Sequence, residues 1–288
     1  MIVITIPAYN EEKTLPKVLD EIKGVMKNYY CKILVIDDGS SDKTVEVARK
    51  NGVIVVSNPR NLGLALTFKK EMEECLKLNA DVIVHTDADG QYPAKYIPQL
   101  IKEVQNGYDL VLGSRFGKGD YSGSFMKRLG NIAFAKTFSN LLKVKITDTT
   151  TGFRAFTKEV AKINLINKFT YTQEQLIKAS LQKFRIKEIP ITTRVTRDSR
   201  LFKSPWQYAF KAWINIFRIY RDYNPLGFFG KIGIYFILIG VISGSYLLYN
   251  FLAYGRVGHI PLTILTALIF LMGIQIILFG FLADMNRN

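Results

Sequence analysis

The stretch Thr86-Asp87-Ala88-Asp89-Gly90-Gln91-Tyr92-Pro93 decides how the rest of the chain is interpreted. It follows Asp81–His85, a run whose apolar centre is typical of a buried strand. Alternate residues of an extended chain point the same way, so Asp87 and Asp89 can converge on one hard cation. Magnesium commonly takes one or two carboxylates and completes its shell with phosphate oxygens. The stretch therefore indicates either a metal–diphosphate site at the carboxyl end of a strand or an acidic turn.

Short apolar runs alternate with longer amphipathic segments on both sides of this stretch. We predict strands at Ile2–Ile6, Lys32–Ile36, Val53–Val56, Val82–His85 and Leu110–Leu112. We predict helices at Leu15–Met26, Asp42–Lys50, Leu62–Leu78 and Pro93–Gln105. Such alternation is typical of an α/β fold in which helices cover a mostly parallel sheet. Ligands of these sheets bind at the carboxyl ends of the strands.

Polar clusters follow the first four predicted strands in turn. They are Pro7-Ala8-Tyr9-Asn10-Glu11, Asp37-Asp38-Gly39-Ser40-Ser41-Asp42, Asn58-Pro59-Arg60-Asn61-Leu62-Gly63 and Asp87–Gln91. Each alone is compatible with turn chemistry, because Gly, Asn, Asp, Pro and Ser favour turns for backbone reasons. Their repetition at the same end of four strands indicates a built site.

Charge and hydropathy point to an anionic partner and to a membrane. The 288 residues carry a net charge of +15, which favours nucleic acid, anionic lipid or a phosphorylated substrate as partner. Two runs without a charged residue, Ile232–Tyr254 and Ile260–Ala283, each match the length needed to cross a bilayer. We therefore expect a C-terminal two-helix transmembrane hairpin. No recognised nucleic-acid-binding motif accompanies the charge, which disfavours nucleic acid.

The distribution of basic residues predicts the orientation of this hairpin. The cations close to it lie mostly on its N-terminal side, at Lys203, Lys211, Arg218, Arg221 and Lys231. The positive-inside tendency then places the large domain and both termini in the cytoplasm of a multi-pass membrane protein. The N-terminus is expected to be a strand and not a signal peptide. In a reducing compartment, Cys31 and Cys75 are expected to be free thiols.

These patterns predict three regions. Residues 1–200 form the cytoplasmic catalytic domain, residues 201–228 amphipathic interfacial helices, and residues 229–288 the hairpin, with spans at about 232–254 and 260–283. In the middle region one helical face would carry aromatic residues, at Trp206, Phe210, Trp213 and Phe217. Aromatic side chains opposite cations suit the membrane interface, although a helix packed on the soluble domain has the same pattern.

Six motifs together resemble those of the family 2 nucleotide-sugar glycosyltransferases, and within them the polyprenyl-phosphate glycosyltransferases of the dolichol-phosphate mannose synthase group. Beyond the clusters after the first, second and fourth strands, the motifs are Asn61-Leu62-Gly63, Gly113-Ser114-Arg115 and Asp148-Thr149-Thr150-Thr151-Gly152-Phe153-Arg154. Any one is weak, but six in the family's order are specific. The resemblance implies a GT-A fold, a bound Mg²⁺ or Mn²⁺, a GDP- or UDP-linked sugar donor and a polyprenyl phosphate acceptor. Relatives of this topology can be oligomeric, which leaves a homo-oligomer open.

The resemblance also assigns roles to residues of this chain. The nucleotide would contact Pro7, Tyr9, Glu11, Asp37, Asp38, Asp87 and Ala88. Within this set, Asp38 would hold either the ribose or its own loop. The metal and donor diphosphate would be held by Asp87, Asp89 and Gln91. The acceptor phosphate would be bound by Arg115 and by further cations at Lys127 or Arg128 and Arg197 or Arg200, whose register the sequence leaves open.

The reaction implied is inverting transfer of one sugar to a polyprenyl phosphate, with Asp89, Arg115 and Glu174 as the catalytic residues. A phosphate monoester is already nucleophilic at neutral pH, so no strong protein base is required. Glu174 is then either a base, as in relatives that act on sugar hydroxyls, or a residue at a helix start favoured by the macrodipole. We expect Asp148 to support the threonine-rich loop and Arg154, and His85 to be structural.

Three other functions share part of this pattern. A processive polysaccharide synthase would carry a Gln-x-x-Arg-Trp signature and more spans than this sequence has. A transferase acting on the hydroxyl of another lipid would need Glu174 as its base. A non-catalytic membrane scaffold would not need the acidic and basic motifs to be intact. Neither the sugar nor the nucleotide follows from the sequence.

Overall fold

The structure is a computed structural model that describes residues 1–116, 139, 146–165, 171–194, 214, 217–218, 220–222, 224–256 and 259–285. The chain divides into two compact units, Met1–Pro205 and Trp206–Asn288. The first unit contains the sheet and its helices, and the second contains the two long apolar helices. The domain boundaries drawn from the sequence stay a prediction.

The first unit alternates strands and helices along its N-terminal half. Its elements are β1 (Ile2–Ala8), α1 (Leu15–Val25), β2 (Cys31–Asp37), α2 (Thr44–Lys50), β3 (Ile54–Ser57), α3 (Leu64–Lys77) and β4 (Val82–His85). A 3₁₀ turn (Ala94–Tyr96) leads into α4 (Ile97–Gln105), then β5 (Leu110–Ser114). After a gap in the described residues come β6 (Arg154–Thr157), α5 (Lys158–Ala161), α6 (Tyr171–Leu181) and β7 (Ile186–Pro190).

The strands form one seven-stranded sheet in the order β3-β2-β1-β4-β6-β5-β7. All described pairings are parallel except those that β6 makes with β4 and β5. The predicted α/β fold with a mostly parallel sheet is thus confirmed. The antiparallel β6 was not predicted, because Arg154-Ala155-Phe156-Thr157 is short and begins with a charged residue, unlike the apolar runs used to find the other strands.

The order of the strands reverses between β1 and β4, which opens a crevice at their carboxyl ends. The pairing of β1 with β4 ends at Thr5 opposite His85, whereas β1 continues beside β2 as far as Ala8 opposite Asp37. Pro7 has no N–H to donate, and it lies beyond the paired part of β4, where no ladder bond is lost. Open α/β sheets bind their ligands at such a reversal point.

The core lies where the helices pack on the sheet. Every residue of β1 is buried, and α1 contributes Leu15, Val18, Leu19 and Ile22 to the same cluster. That spacing places the four side chains on one helical face, and Pro16 occupies the first turn, where its missing N–H costs no hydrogen bond. The sheet is therefore a rigid support for the loops at its carboxyl edge. Cys31 and Cys75 are free thiols, as predicted.

The second unit consists mainly of α7 (Pro225–Tyr254) and α8 (Ile260–Met285), both long and apolar enough to cross a membrane. α7 begins earlier than the predicted span. Asn224 caps it by accepting a hydrogen bond from the Gly227 N–H (3.0 Å), and Pro225 suits its first turn. Of the predicted aromatic face, Phe217 is exposed; Trp206, Phe210 and Trp213 lie outside the described residues.

Glycines bring α7 and α8 into close contact. A Cβ atom at Gly233 would lie 2.6 Å from the carbonyl oxygen of Gly273, and one at Gly273 would lie 2.9 Å from that of Gly233. The Thr266 hydroxyl donates to the Ser243 hydroxyl across the same interface (3.0 Å). Small residues and hydroxyl pairs of this kind hold helices together in a medium as apolar as their side chains.

Candidate active site

The carboxylate pair lies at the carboxyl end of β4, beside the crevice. The Thr86 N–H donates to the Thr5 carbonyl (3.1 Å), which keeps the chain extended up to Asp87. Gly90 has a φ of 75°, a conformation suited to glycine, and the resulting turn lets the Gln91 N–H donate to Asp89 Oδ1 (2.9 Å). Ala88 is buried in the core between the two acids. Asp87, Asp89 and Gln91 are each partly exposed, so all three can reach a ligand.

Gly152 leaves open the space in front of Asp87. A Cβ atom at Gly152 would lie 3.3 Å from both carboxylate oxygens of Asp87. The Gly152 N–H donates to the Tyr92 hydroxyl (3.3 Å), and the Tyr92 ring stacks on Phe153 with centroids 5.2 Å apart. The sequence argument included Gly152 and Tyr92 in motifs but gave neither a role. The glycine between Thr151 and Phe153 was the available signal for a close approach.

The donor set fits a hard divalent cation. In the described parts of the chain, no group of three or more His, Cys, Asp or Glu side chains is placed to hold a metal. Two carboxylates and an amide, completed by substrate phosphates, are nevertheless the kind of shell that magnesium favours. The electrostatics of Asp87 agree with a cation site at this position. Burial raises the pKa of Asp87 to about 6, with the charges of Asp89 and Glu71 adding to the rise and those of His85 and Arg115 opposing it.

Arg115 is held at the same edge by a buried acid. Its Nε and Nη2 atoms donate to the two carboxylate oxygens of Asp148 at 2.7 and 2.9 Å, and Nη2 also donates to the Thr150 hydroxyl (2.7 Å). Burial alone would raise the pKa of Asp148, but the charge and hydrogen bonds of Arg115 lower it. Planar guanidinium pairs of this type fix orientation as well as charge. The expected support of the threonine-rich loop by Asp148 is present, with Arg115 as its ion-pair partner.

The antiparallel β6 explains how these groups meet. Arg154, at the start of β6, lies opposite both His85 of β4 and Leu112 of β5. The residues that precede β6 therefore reach the carboxyl edge of both strands. Glu188 of β7 anchors them by accepting hydrogen bonds from the Thr147 and Asp148 N–H groups (2.8 Å each).

The predicted nucleotide residues lie on the other side of the crevice, at the ends of β1 and β2. Tyr9 is exposed, whereas Glu11 and Asp37 are buried. The Glu11 carboxylate accepts from the Thr14 hydroxyl (2.6 Å), and Asp37 accepts from the Ser40 N–H (3.1 Å). Pro7 is buried in β1. The topology thus brings this group and the carboxylate pair to one edge, while their roles stay predictions.

Asp38 organises its own loop. Its carboxylate accepts from the Asn58 side-chain amide (2.8 Å) and from the Leu62 and Gly63 N–H groups (2.9 Å each). A Cβ atom at Gly39 would lie 2.5 Å from the carbonyl carbon of Arg60, so only glycine allows the two loops to touch. Of the two expected functions of Asp38, these contacts favour support of the loop.

Glu174 lies in the first turn of α6 and is 1% exposed. Its carboxylate forms an ion pair with Lys178, one turn later, at 2.8 Å. A buried, paired carboxylate is a poor candidate for removing a proton from substrate, so the geometry favours a positioning function. The remaining predicted phosphate ligands, Lys127, Arg128, Arg197 and Arg200, lie outside the described residues.

The mostly parallel sheet with one antiparallel strand, and the carboxylate pair beside its reversal point, agree with the GT-A glycosyltransferase fold that the motifs imply. The chain belongs to glycosyl transferase family 2, whose sequence profile matches residues 3–163. The chain is therefore a glycosyltransferase, and the resemblance inferred from its motifs is confirmed.

Named relatives and solved structures agree with this assignment. The chain is 34% identical to the dolichyl-phosphate hexose transferase of Haloferax volcanii over 193 residues, 66% of this chain and 82% of that protein. It is 32% identical to the dolichol-phosphate mannosyltransferase of Pyrococcus furiosus over 211 residues, 69% of this chain and 58% of that protein. Glucosyl-3-phosphoglycerate synthase from Mycobacterium tuberculosis, solved with Mn²⁺ and UDP, matches with a TM-score of 0.60 at 18% identity, covering 76% of this chain and 78% of that one. At that identity the likeness establishes the fold.

Proposed function

We propose that this protein transfers one sugar from a nucleotide diphosphate to a polyprenyl monophosphate, with inversion at the anomeric carbon. The donor is GDP-mannose or a UDP-hexose, and the acceptor is dolichyl or undecaprenyl phosphate. The observation that carries the proposal is the position of Arg115. It follows β5 at the same edge of the sheet as Asp87 and Asp89, and Asp148 fixes its guanidinium by two hydrogen bonds. The names of the Haloferax and Pyrococcus relatives support the same acceptor class.

The chemistry requires little from the protein beyond placement. A phosphate oxygen of the acceptor forms a bond to the anomeric carbon while the bond from that carbon to the donor diphosphate breaks. The nucleoside diphosphate leaves with the electron pair. Because the second pKa of a phosphate monoester is near 6, the acceptor is already an anion at neutral pH, and no proton needs to be removed. The buried Glu174–Lys178 pair is consistent with a reaction that uses no base.

Different residues at the carboxyl edge position the donor and the acceptor. Asp87, Asp89 and Gln91 hold a divalent cation, Mg²⁺ or Mn²⁺, together with the donor diphosphate. When bound, the cation neutralises charge on the departing diphosphate. Arg115 receives the acceptor phosphate, and its pair with Asp148 keeps the guanidinium from turning away when the site is empty of anion. Tyr9, Glu11 and Asp37 line the nucleotide side.

The two apolar helices anchor this chemistry to a membrane. We propose that α7 and α8 cross the bilayer as a hairpin, with the catalytic domain and both termini in the cytoplasm. The supporting features are the length and composition of the helices, the cations Arg218 and Arg221 before α7, and Lys231 near its N-terminal end. A long isoprenoid acceptor stays in the bilayer while its phosphate reaches the surface, so an anchored enzyme meets its acceptor without extracting it.

The test uses the full chain in detergent with Mg²⁺ or Mn²⁺, a polyprenyl phosphate and a panel of labelled nucleotide sugars. Transfer of label to the organic phase from one donor is the expected result, and it identifies both sugar and nucleotide. Asp89→Asn should abolish transfer. Asp81→Asn is the matched control, because Asp81 precedes the opposite end of β4 and is exposed. Absence of organic-phase label with every donor, from folded protein, would contradict the proposal.

A further inference from the structure

A buried polar cluster lies directly behind the carboxylate pair. It consists of Glu71 on α3, His85 at the end of β4 and Tyr171 at the start of α6, which we call the buried triad. Glu71 and His85 are 0% exposed, and Tyr171 is 5% exposed. Three elements distant in sequence thus converge on one imidazole, next to residues assigned to the metal.

Hydrogen-bond partners lie at both edges of the His85 ring. The Nδ1 atom of His85 lies 2.8 Å from Glu71 Oε2, and its Nε2 atom lies 3.1 Å from the Tyr171 hydroxyl. A neutral imidazole has one donor and one acceptor nitrogen, and the Tyr171 hydroxyl can serve as partner to either. Both edges of the ring are therefore fixed, and with them the rotation of the imidazole.

Stability alone does not account for this arrangement. Burial of a carboxylate without full hydrogen bonding costs free energy, and Glu71 Oε1 has no partner among the described residues. The surroundings are apolar: Phe68 packs on His85 and on Tyr171 with ring centroids 5.0 and 4.3 Å apart. Apolar side chains at the triad positions would fill the same space without that cost. Such local conflicts tend to mark functional sites.

The triad touches the metal-binding carboxylate. His85 Nε2 lies 4.0 Å from Asp87 Oδ1, because alternate residues of an extended chain share a face. The Asp87 carboxylate also borders the space left open at Gly152, where a Cβ atom would lie 3.3 Å from both oxygens. The imidazole edge therefore lies beside a carboxylate that has room for a ligand.

We propose that the buried triad positions Asp87 for the divalent cation and donor diphosphate, an inference that rests on the proposed function. Glu71, His85 and Tyr171 are positioning residues: they fix the wall against which the Asp87 carboxylate rests, and they do not touch substrate. Groups that orient a metal ligand in this way typically change metal affinity by about 10–100-fold when they are removed. The triad therefore supports affinity for the cation as well as the packing of α6.

The test measures Mn²⁺ binding to the full chain in detergent by electron paramagnetic resonance, with UDP and GDP as nucleotide partners. Tyr171→Phe keeps the ring on Phe68 and removes only the hydroxyl, so the Mn²⁺ dissociation constant should rise about 10-fold or more. Glu71→Leu should do the same, because the imidazole loses its hydrogen-bond partner at Nδ1. Glu71→Gln keeps a side chain at this position that can donate or accept a hydrogen bond, so it should keep the affinity close to that of the unmodified chain.

Phe68→Leu is the matched control, because it weakens the packing of both rings and leaves every hydrogen bond of the triad in place. It should lower Tm without changing Mn²⁺ affinity. Unchanged affinity in Tyr171→Phe and Glu71→Leu, or an equal loss in Phe68→Leu, would overturn the inference. The Mn²⁺ affinity can depend on the triad even if the protein transfers no sugar to polyprenyl phosphate. That result would refute the proposed function and leave the inference standing. A chain that binds no Mn²⁺ with either nucleotide would overturn both.

Discussion

Replacement of Asp148 by Asn should destabilise the catalytic unit by a predictable amount. The side chain of Asp148 is 0% exposed and that of Arg115 is 19% exposed, so the variant leaves a mostly buried guanidinium without its counter-charge. Loss of one partner of a fully buried ion pair costs about 3–5 kcal/mol. Water reaches part of Arg115, and the Asn oxygen still accepts one hydrogen bond, which reduces the expected cost to about 2 kcal/mol.

The cost should appear in thermal unfolding followed by circular dichroism of the full chain in detergent. For a unit of this size, about 2 kcal/mol corresponds to a fall in Tm of roughly 4–8 °C. Glu46→Gln provides a control, because the exposed Glu46–Lys50 pair should contribute nothing measurable. A Tm for Asp148→Asn equal to that of the unmodified chain would refute the assignment of a buried, stabilising pair.

The same pair predicts a dependence on pH. The folded-state pKa of Asp148 is lowered, chiefly by Arg115 once the opposing effect of burial is overcome. A lowered pKa contributes stability that is present above the unfolded-state value, ~3.9, and that is lost as the pH falls through the folded-state value. The Tm difference between the unmodified chain and Asp148→Asn should therefore be constant from about pH 5 to pH 7 and shrink below about pH 4. A difference that persists at the lowest pH would contradict this reasoning.

Three further substitutions test other parts of the structure. Glu174→Gln should keep kcat on a phosphate acceptor, measured per folded protein, within about tenfold of the unmodified chain. A general base contributes about 10²–10⁴-fold, so a loss in that range would show that Glu174 acts as the base. Gly152→Ala should raise the Mn²⁺ concentration needed for half-maximal transfer, since its methyl group would lie 3.3 Å from both Asp87 oxygens, and unchanged metal dependence would show that this face is not used. Gly233→Leu should lower the Tm of the full chain, because the new side chain would meet the Gly273 carbonyl oxygen at 2.6 Å; an unaltered melting curve would mean that α7 and α8 do not pack through their glycines.

Local patterns were enough to predict most of the sheet. Each strand found from the sequence was an apolar run closed by a polar cluster, and the observed β1, β2, β3, β4 and β5 agree with those runs to within a few residues. β6 was missed because the charged Arg154 at its start is fully buried, and its Nη1 atom donates to groups far along the chain, among them the Thr172 carbonyl oxygen (3.0 Å). Tertiary contacts of that kind produce no periodic pattern of apolar residues, so the sequence does not indicate the strand.

The sequence proposed residues for the candidate site, but it did not indicate which of them contact one another. Asp87 and Asp89 were assigned from spacing, and the resemblance supplied Arg115. The bidentate contact of Arg115 with Asp148 depends on the direction of β6, and hydrophobic periodicity does not report that direction. The buried triad was missed for a similar reason. His85 was expected to be structural, and its two partners come from helices that only the fold brings together.

The Arg115–Asp148 pair also links the candidate phosphate site to the far edge of the sheet. The two residues are 33 positions apart in sequence, and their contact holds both at the carboxyl edge. The Asp148 N–H donates in turn to Glu188 of β7, the outermost strand on that side. The orientation of the Arg115 guanidinium therefore depends on a carboxylate of β7. A substitution of Glu188 is expected to reach the phosphate site through Asp148.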